Sequence, residues 1–227
     1  SIDNPLYTRK GSQFMFSVAA TPPWSLWDGK DYKNMSDQDE AKFRMIEYHK
    51  WKFKAKIFSP LAPLTVKRTP VLMTRVEYGF LGSYNKYKKS PFETFYMGGD
   101  GMSGYSSTYA TETIGLRGYE NGSIAGNGGY NSYGYAYSRL SMELRYPFLL
   151  EPSSTIYGLV FVEAGNAWRD LKDFNPFQLK RSAGVGVRIF LPMIGLMGID
   201  WAYGFDRPDG YDQRGGSNFH FIIGQEF

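Results

Sequence analysis

The sequence predicts an all-β protein, a transmembrane antiparallel β-barrel of which about eight strands are present. Three observations lead to this prediction. Apolar and polar residues alternate with a period of two over most of the 227 residues, which is the pattern of strands with one apolar face. The 18 Tyr, 17 Phe and 26 Gly are typical of strands and turns. The predicted strands have roughly 9–11 residues, the length that crosses a bilayer when a strand is tilted.

Eight segments carry the alternation. In the clearest one, residues 50–58, lysines occupy every second position and mostly apolar side chains occupy the positions between them. The others are 14–18, 72–80, 139–148, 156–168, 183–191, 198–205 and 219–224.

The connections between these segments alternate in length. Long or intermediate connections are 21–42, 81–135, 169–180 and 206–217, and short ones are 60–70, 147–154 and 192–195. Outer-membrane barrels have tight turns at one rim and long loops at the other. We therefore expect the long connections to be extracellular and the short ones, with Phe227, to be periplasmic.

The two faces of the predicted strands differ in charge. One face carries Lys52, Lys54, Lys56, Arg75, Glu77, Arg139, Glu143, Arg145, Glu163, Arg188, Asp200, His220 and Glu226. The other is almost uncharged and has aromatic residues near strand ends, as the aromatic girdles of membrane barrels do: Trp51, Tyr78, Tyr146, Trp201 and Tyr203. A water-soluble β-sandwich is the alternative, since it also has one apolar face, turned toward a second sheet.

Composition excludes several classes of protein. No run of about 18 apolar residues predicts a transmembrane helix, and no signal-peptide pattern opens the chain. The chain begins at Ser1 in a predicted turn, so we expect a fragment of a longer protein. The net charge of +4 comes without a Lys/Arg cluster, which argues against nucleic acid as a partner. The absence of cysteine excludes disulfides and Cys-based metal or redox sites.

No cofactor, metal site or catalytic site is expected. His49 and His220 are far apart and have no acidic partner at ligand spacing. Ser106, Ser107 and Thr108 lie in a Gly-rich stretch without a base that would activate a nucleophile. We therefore predict that the chain is not an enzyme.

The segment 114–122 holds the most informative candidate residue. Arg117 stands in Leu116-Arg-Gly-Tyr119, among glycines at 115, 118 and 122 that allow tight turns and close backbone approach. Glu143 and Glu163 fall on the charged face of the next two strands, where a guanidinium between them would relieve their repulsion. In the alternative interpretation, Arg117 is a solvated loop residue and both glutamates line a wet lumen, paired with Arg139, Arg145 or Arg188.

Four stretches together resemble one known family. They are Asp3-Asn-Pro-Leu-Tyr-Thr-Arg-Lys-Gly11 with its turn, Phe92-Glu-Thr-Phe-Tyr-Met-Gly-Gly99 followed by Leu116-Arg-Gly-Tyr119, Phe161-Val-Glu-Ala-Gly165, and Phe219-His-Phe-Ile-Ile-Gly-Gln-Glu-Phe227. In this order and at these spacings, the chain resembles the C-terminal half of the barrel of BamA-type Omp85 outer-membrane protein assembly factors. Glu163 stands where the family usually has Asp, and Leu116 where it has a β-branched residue.

The resemblance implies a sixteen-stranded barrel, preceded by periplasmic POTRA domains, that inserts other barrel proteins into the outer membrane. Residues 1–227 would be the C-terminal part of that barrel, without the POTRA domains and the first half of the wall. The implied partners are outer-membrane lipids, nascent β-barrel proteins, and accessory assembly lipoproteins or surface subunits. The implied sites are a lock on loop six (Arg117, Gly118, Tyr119, Glu143 and Glu163) and a terminal β-signal (Phe219, Phe221, Ile223, Gly224 and Phe227).

The function that follows from this resemblance is outer-membrane protein assembly without a catalysed reaction. The barrel would thin the adjacent bilayer and open a seam beside the last strand, where a nascent strand can satisfy its backbone hydrogen bonds. The alternatives are a secretion transporter of the same superfamily and a porin-like channel. A surface enzyme domain has no support in these residues.

Overall fold

The computed structural model describes residues 1–101, 112–124 and 133–224. The strands are β1 (Gly11–Ala20), β2 (His49–Pro60), β3 (Val71–Gly82), β4 (Phe95–Met97), β5 (Glu112–Ile114), β6 (Ala136–Glu151), β7 (Ser154–Trp168), β8 (Lys180–Leu191), β9 (Gly195–Gly204) and β10 (Gly216–Ile223). Helical structure in these ranges consists of one α-helical turn, Glu40–Phe43, and two 3-10 turns, Trp24–Leu26 and Leu171–Asp173. Over the same ranges, no helix combines the length and apolar character needed to span a membrane.

Eight strands form a single sheet in the order β1-β2-β3-β6-β7-β8-β9-β10, and all neighbours are antiparallel. The predicted all-β fold and the eight strands are thereby confirmed. Because each strand follows its neighbour in the chain, the long connections leave one end of the sheet and the short turns leave the other. Among the described strands, β1 has β2 as its one neighbour and β10 has β9, so this sheet is open. An isolated bridge from Ile2 to Gly11 covers the start of β1.

The predicted boundaries need two corrections. The eight strands have 8 to 16 residues, a wider range than predicted. The turn predicted at 147–154 is reduced to residues 152–153, because β6 continues to Glu151 past an irregularity between Pro147 and Leu149. Proline has no N–H to donate to the ladder, so the strand bends there without ending.

A second, parallel pair formed by β4 and β5 lies inside the connection between β3 and β6. We call this connection, residues 83–135, the central loop. The pair was not predicted, because three-residue strands are too short to show a period-two pattern.

The charged face of the sheet is the buried one. On β6, Glu143 and Arg145 are 1% and 3% exposed, whereas the alternating Met142 and Leu144 are 46% and 44% exposed. No second sheet of the described residues covers this apolar face. The soluble β-sandwich is therefore not the fold of this chain, since a sandwich buries its apolar faces against each other.

The described residues of the central loop pack on the charged side of the sheet. Its apolar residues form one cluster with β3, β6 and β7, made of Leu81, Phe95, Met97, Ile114, Leu116, Tyr119, Ile124, Tyr137 and Ala167. A second cluster on the same face contains Tyr7, Phe58, Val71, Met73, Tyr157, Leu159, Phe161 and Ala202. The ionised groups described next contact residues of both clusters.

Candidate functional site

The β4–β5 pair holds the central loop in a defined position. The amide of Leu116 donates to the carbonyl of Gly99 (3.1 Å), the amide of Gly99 donates back to that of Leu116 (3.2 Å), and the amide of Gly98 donates to the carbonyl of Ile114 (3.0 Å). After the parallel pairing ends at Met97 and Ile114, an antiparallel bridge between Gly99 and Leu116 holds the residue before Arg117. The backbone that carries Arg117 is therefore held in place by hydrogen bonds.

Arg117 is fully buried and contacts three carboxylates from three strands. Its Nη2 donates to Glu143 Oε1 (2.6 Å) and Glu163 Oε1 (2.7 Å), and its Nη1 donates to Asp200 Oδ2 (2.9 Å). The backbone N–H of Arg117 also donates to Glu163 Oε2 (3.0 Å). We call Arg117 with these three acids the Arg117 site. The solvated-loop interpretation is wrong, because the side chain is 0% exposed.

Each acid of the Arg117 site has a second arginine partner. Arg145 donates to Glu143 from Nε (2.9 Å) and Nη2 (2.8 Å). Arg139 (2.8 Å) and Ser141 (3.1 Å) donate to Glu163 Oε1. Arg188 donates to both oxygens of Asp200, at 2.5 and 2.8 Å. Each acid is thus bonded both to Arg117 of the loop and to an arginine of the sheet. For the two glutamates, the sequence had offered these as alternatives, and the structure contains both.

The surroundings of the Arg117 site exclude water. The guanidinium carbon of Arg117 lies 3.5 Å from the ring centroid of Phe161, in the geometry of a cation–π contact. Burial by itself lowers the pKa of Arg117, but Glu163, Glu143 and Asp200 outweigh this effect and hold its pKa above the ordinary value. The guanidinium therefore stays charged, and its planar fork reaches separate acceptors that one ammonium could not reach together.

Gly118 passes close to the last strands. Its φ is +90°, and a Cβ at this position would lie 2.8 Å from the Ser182 side chain and 2.9 Å from the Gly204 nitrogen. Only glycine fits, for both conformational and steric reasons. Its amide donates to His220 Nε2 (2.9 Å), and its carbonyl accepts from Asn218 Nδ2 (3.0 Å).

Tyr119, the next residue of the loop, bonds to the start of β8 and to the connection after β9. Its hydroxyl donates to the carbonyl of Arg181 (2.6 Å) and accepts from the amide of Asp206 (3.3 Å). Burial raises the pKa of Tyr119 to about 12, so the hydroxyl keeps the proton that it donates. Arg117, Gly118 and Tyr119 thus each make a different contact with the strands, and the structure brings them together with Glu143 and Glu163.

Gly165, which follows the acid of the Phe161–Gly165 motif, leaves space for the loop. A Cβ there would lie 2.6 Å from Met97 Cε and 3.2 Å from Leu116 Cδ1, both in the central loop. The motif thus supplies a ring for the guanidinium at Phe161, an acid at Glu163 and clearance at Gly165.

The residues predicted as a β-signal lie on and after β10. Phe219, Phe221 and Ile223 point to the apolar face and are 67%, 56% and 67% exposed. Gly224 has φ +73°, and its amide donates to the carbonyl of Leu196 (2.8 Å). Phe227 lies outside the described residues. A role of this strand as an insertion signal stays a prediction.

A second group of ion pairs holds the central loop against β2. Glu112 of β5 lies 3.0 Å from the ammonium of Lys50 and 3.1 Å from that of Lys52, and Lys50 also lies 3.0 Å from Glu93. We call Glu112, Lys50 and Lys52 the Glu112 site. Its Glu112 and Lys52 side chains are 24% and 23% exposed, so solvent reaches this contact.

The central arrangement has two further members, Asp200 and His220, which the sequence places on the charged face but not in the site. The signal that could have found them is strand order. A loop that contacts β6 and β7 from the charged side can also contact the strands that follow, and these two residues lie directly opposite each other on β9 and β10.

The remaining candidates stay apart from this arrangement. His49 Nδ1 accepts from Trp51 Nε1 (3.0 Å) on the far side of the sheet order from His220. Ser106, Ser107 and Thr108 lie outside the described residues. In the ranges that the structure describes, no group of His, Asp and Glu side chains is arranged to hold a metal ion.

Comparison with known proteins identifies the family. The crystal structure of BamA from Haemophilus ducreyi lacking POTRA domains 1–3 superposes with a TM-score of 0.64 at 19% sequence identity, over 98% of this chain and 40% of that one. At this identity the likeness shows the fold alone, and the chain spans about 40% of the length of that structure. No match is found among curated proteins. The model of the Omp85 superfamily domain matches residues 2–227. The chain therefore belongs to the Omp85 superfamily.

Proposed function

We propose that this chain is the C-terminal half of the barrel wall of an outer-membrane protein assembly factor in a Gram-negative bacterium. The first half of the wall and periplasmic POTRA domains would belong to the same protein. The barrel assembles and inserts other β-barrel proteins by thinning the bilayer and by templating client strands at a seam beside β10. No chemical reaction is catalysed.

The position of the central loop is the observation that supports this proposal most directly. An eight-stranded barrel fills its interior with side chains, whereas here the described residues of the central loop pack on the charged side of an open sheet. Such an arrangement needs a wider barrel, and the free edges of β1 and β10 are where further strands would pair. The apolar outer face, with Phe219 and Phe221 exposed on the edge strand, fits contact with lipid.

The partners follow from the same surfaces. Lipid would cover the apolar face, and a nascent barrel strand would pair with the open edge of β10, because unpaired backbone N–H and C=O groups are not tolerated in hydrocarbon. Accessory lipoproteins or surface subunits would complete the set of partners.

Reconstitution of the full-length protein tests this function. Purified protein in phospholipid vesicles should accelerate the folding of an unfolded eight-stranded client barrel, read as a shift in gel mobility without heating. Vesicles that hold an unrelated porin at the same density are the control, since they carry the same packing defects without an open seam. Equal folding rates in both vesicles contradict an assembly function. They leave the secretion transporter and the channel as candidates, which ion conductance and loss of a secreted protein would then distinguish.

Membrane orientation has its own test. The chain has no cysteine, so a single introduced cysteine is a unique label site. Lys33→Cys or Lys172→Cys should react with a membrane-impermeant thiol reagent on whole cells, because both lie in connections at the long-loop end. Ser154→Cys, at the opposite end of the sheet, should react only after the outer membrane is permeabilised. The reverse pattern contradicts the proposed orientation.

A further inference from the structure

We propose that Gly118 of the central loop clamps the terminal hairpin, β9–β10, from inside, through His220 and Asn218. The position of the loop would then control how easily β10 separates from β9. His220 and Asn218 would act as positioning residues, because they hold backbone and touch no client.

The contact between Gly118 and β10 has a defined geometry. His220 Nε2 accepts from the amide of Gly118 at 2.9 Å, and Asn218 Nδ2 donates to the carbonyl of the same residue at 3.0 Å. His220 is 6% exposed. The two side chains point inward from alternate positions of β10 and bond both polar groups of one peptide residue, which are groups that must find partners when buried.

Adjacent residues of the loop bind adjacent strands. Arg117 bonds Asp200 of β9, and Gly118 bonds His220 of β10. Asp200 and His220 are directly opposite in the antiparallel register. The loop therefore crosses the pair at one level and contacts both strands, so that separating them breaks a contact on at least one side.

Two glycines of the β9–β10 hairpin leave room for the loop. A Cβ at Gly204, the last residue of β9, would lie 2.3 Å from the carbonyl oxygen of Gly118. One at Gly215, just before β10, would lie 2.5 Å from the same oxygen. Both glycines leave the space into which this carbonyl projects. Asn218 also donates to the carbonyl of Gly215 (2.9 Å), which links the hairpin loop to the clamp.

β10 is the strand that such a clamp would stabilise most. It has 8 residues, the fewest of any strand in the eight-stranded sheet, and among the described residues it pairs on one side only. A strand held by one ladder separates more easily than one held by two. The consequence for client insertion rests on the proposed function: releasing the loop tip would free the edge at which a client strand pairs.

Native-state hydrogen exchange of the full-length protein, measured by mass spectrometry, tests the clamp. The β9-bonded amides of β10 are the readout, and those of β6 are the internal reference. His220→Leu removes the acceptor at similar volume and should accelerate exchange in β10 roughly tenfold, the effect of leaving a buried donor unsatisfied, while β6 is unchanged. Phe221→Leu is the matched control on the outward face of the same strand, and we expect less than about a twofold change.

Two further variants sharpen the test. His220→Gln keeps an acceptor at similar reach and should exchange at close to the wild-type rate. Arg117→Ala, which releases the loop without altering β10, should accelerate β10 exchange as His220→Leu does, and the double variant should add little, because both changes break one linkage. By reciprocity, His220→Leu should also accelerate exchange at the amides of Leu116 and Ile124.

The outcomes separate the clamp from the proposed function. The clamp is refuted if β10 exchanges at the same rate in His220→Leu and Phe221→Leu, or at the wild-type rate in Arg117→Ala. If His220→Leu does not fold, Asn218→Ala removes the other bond and carries the same expectation. Exchange does not depend on client insertion, so an inactive wild-type protein in the vesicle assay overturns the assembly function and not the clamp.

Discussion

The central loop is held by two sets of ion pairs that differ in burial. At the Arg117 site, one guanidinium meets acids from β6, β7 and β9, and the side chains of Arg117, Glu163 and Asp200 are 0% exposed. At the Glu112 site, the ammonium groups of Lys50 and Lys52 lie 3.0 and 3.1 Å from one acid, whose side chain is 24% exposed, and that of Lys54 lies 4.0 Å from it. The same kind of interaction therefore occurs in one molecule with and without access to solvent.

This comparison shows that burial, and not the presence of opposite charges alone, decides how much an ion pair contributes to stability. A solvent-accessible pair gains little, because water and salt already stabilise the separated ions. A buried pair gains little over an apolar replacement, but removing one partner leaves an uncompensated charge. The Arg117 site is thus the one that a single substitution should disrupt. The planar guanidinium also fixes geometry, since its separate nitrogens point to separate acceptors, whereas Lys50 and Lys52 act as point charges.

The largest effect is expected from Arg117→Ala. Removing the cation breaks its bonds to Glu143, Glu163 and Asp200 at once. Each acid keeps a second arginine on the sheet, but the loop loses all three acceptors, and breaking a buried pair costs about 3–5 kcal/mol. The free energy of loop opening, from hydrogen exchange at the amides of Leu116 and Ile124, should fall by that amount, and residues 100–130 should become protease-sensitive. Arg117→Lys should restore little of the difference.

Wild-type exchange and protease resistance in Arg117→Ala would show that the Arg117 site does not hold the loop. The strands and membrane insertion should be largely intact in this variant, because the sheet hydrogen bonds do not pass through the loop. Outer-membrane protein levels in cells that rely on the variant should fall, as the proposed function requires.

A smaller effect is expected from Glu163→Gln. The amide removes one negative charge and directs an N–H group toward arginines, but Glu143 and Asp200 still hold Arg117. A hydrogen bond to a charged group contributes about 1.5–3 kcal/mol. The free energy of loop opening should therefore decrease by an amount in that range. Glu151→Gln, at an exposed end of β6, is the matched control. If Glu163→Gln lowers the free energy of loop opening as much as Arg117→Ala does, then the three acids do not each contribute to holding Arg117.

The Glu112 site should respond weakly to the same type of substitution. Glu112→Gln removes the charge from a contact that water reaches, so the free energy of loop opening should fall by about 0–1 kcal/mol. Raising the salt concentration from 0.05 to about 0.5 M should abolish most of this difference. A loss as large as that of Glu163→Gln would mean that burial does not explain the contrast between the two sites.

Acid should remove the contribution of the Glu112 site. Burial by itself raises the pKa of Glu112, but hydrogen bonds and charge from Lys50 and Lys52 outweigh it and hold this pKa below its ordinary value of 4.5. A lowered folded-state pKa gives stability that is present above pH 4.5 and is lost as the pH falls through the folded value. The difference in loop-opening free energy between wild type and Glu112→Gln should therefore be constant near pH 7 and vanish in acid. If the difference persists in acid, the ionised carboxylate of Glu112 is not what stabilises the loop at this site.

The amino-acid sequence by itself determined the class of fold. Strand positions and the distinction between charged and apolar faces follow from the period of two, because neighbouring side chains of a strand point to opposite sides. The family motifs also pointed to Arg117, Glu143 and Glu163, which the structure brings together. This information is local: it depends on residues a few positions apart.

Only the tertiary structure decided what lies opposite the loop. Asp200 and His220 are 83 and 102 positions from their partners Arg117 and Gly118, and no pattern in the sequence encodes that distance. The β4–β5 pair is equally invisible, since its strands are three residues long and gain their stability from packing inside the sheet. Whether a charged face meets water or a buried arginine depends on which segment covers it, and that is fixed by the folding of the whole chain.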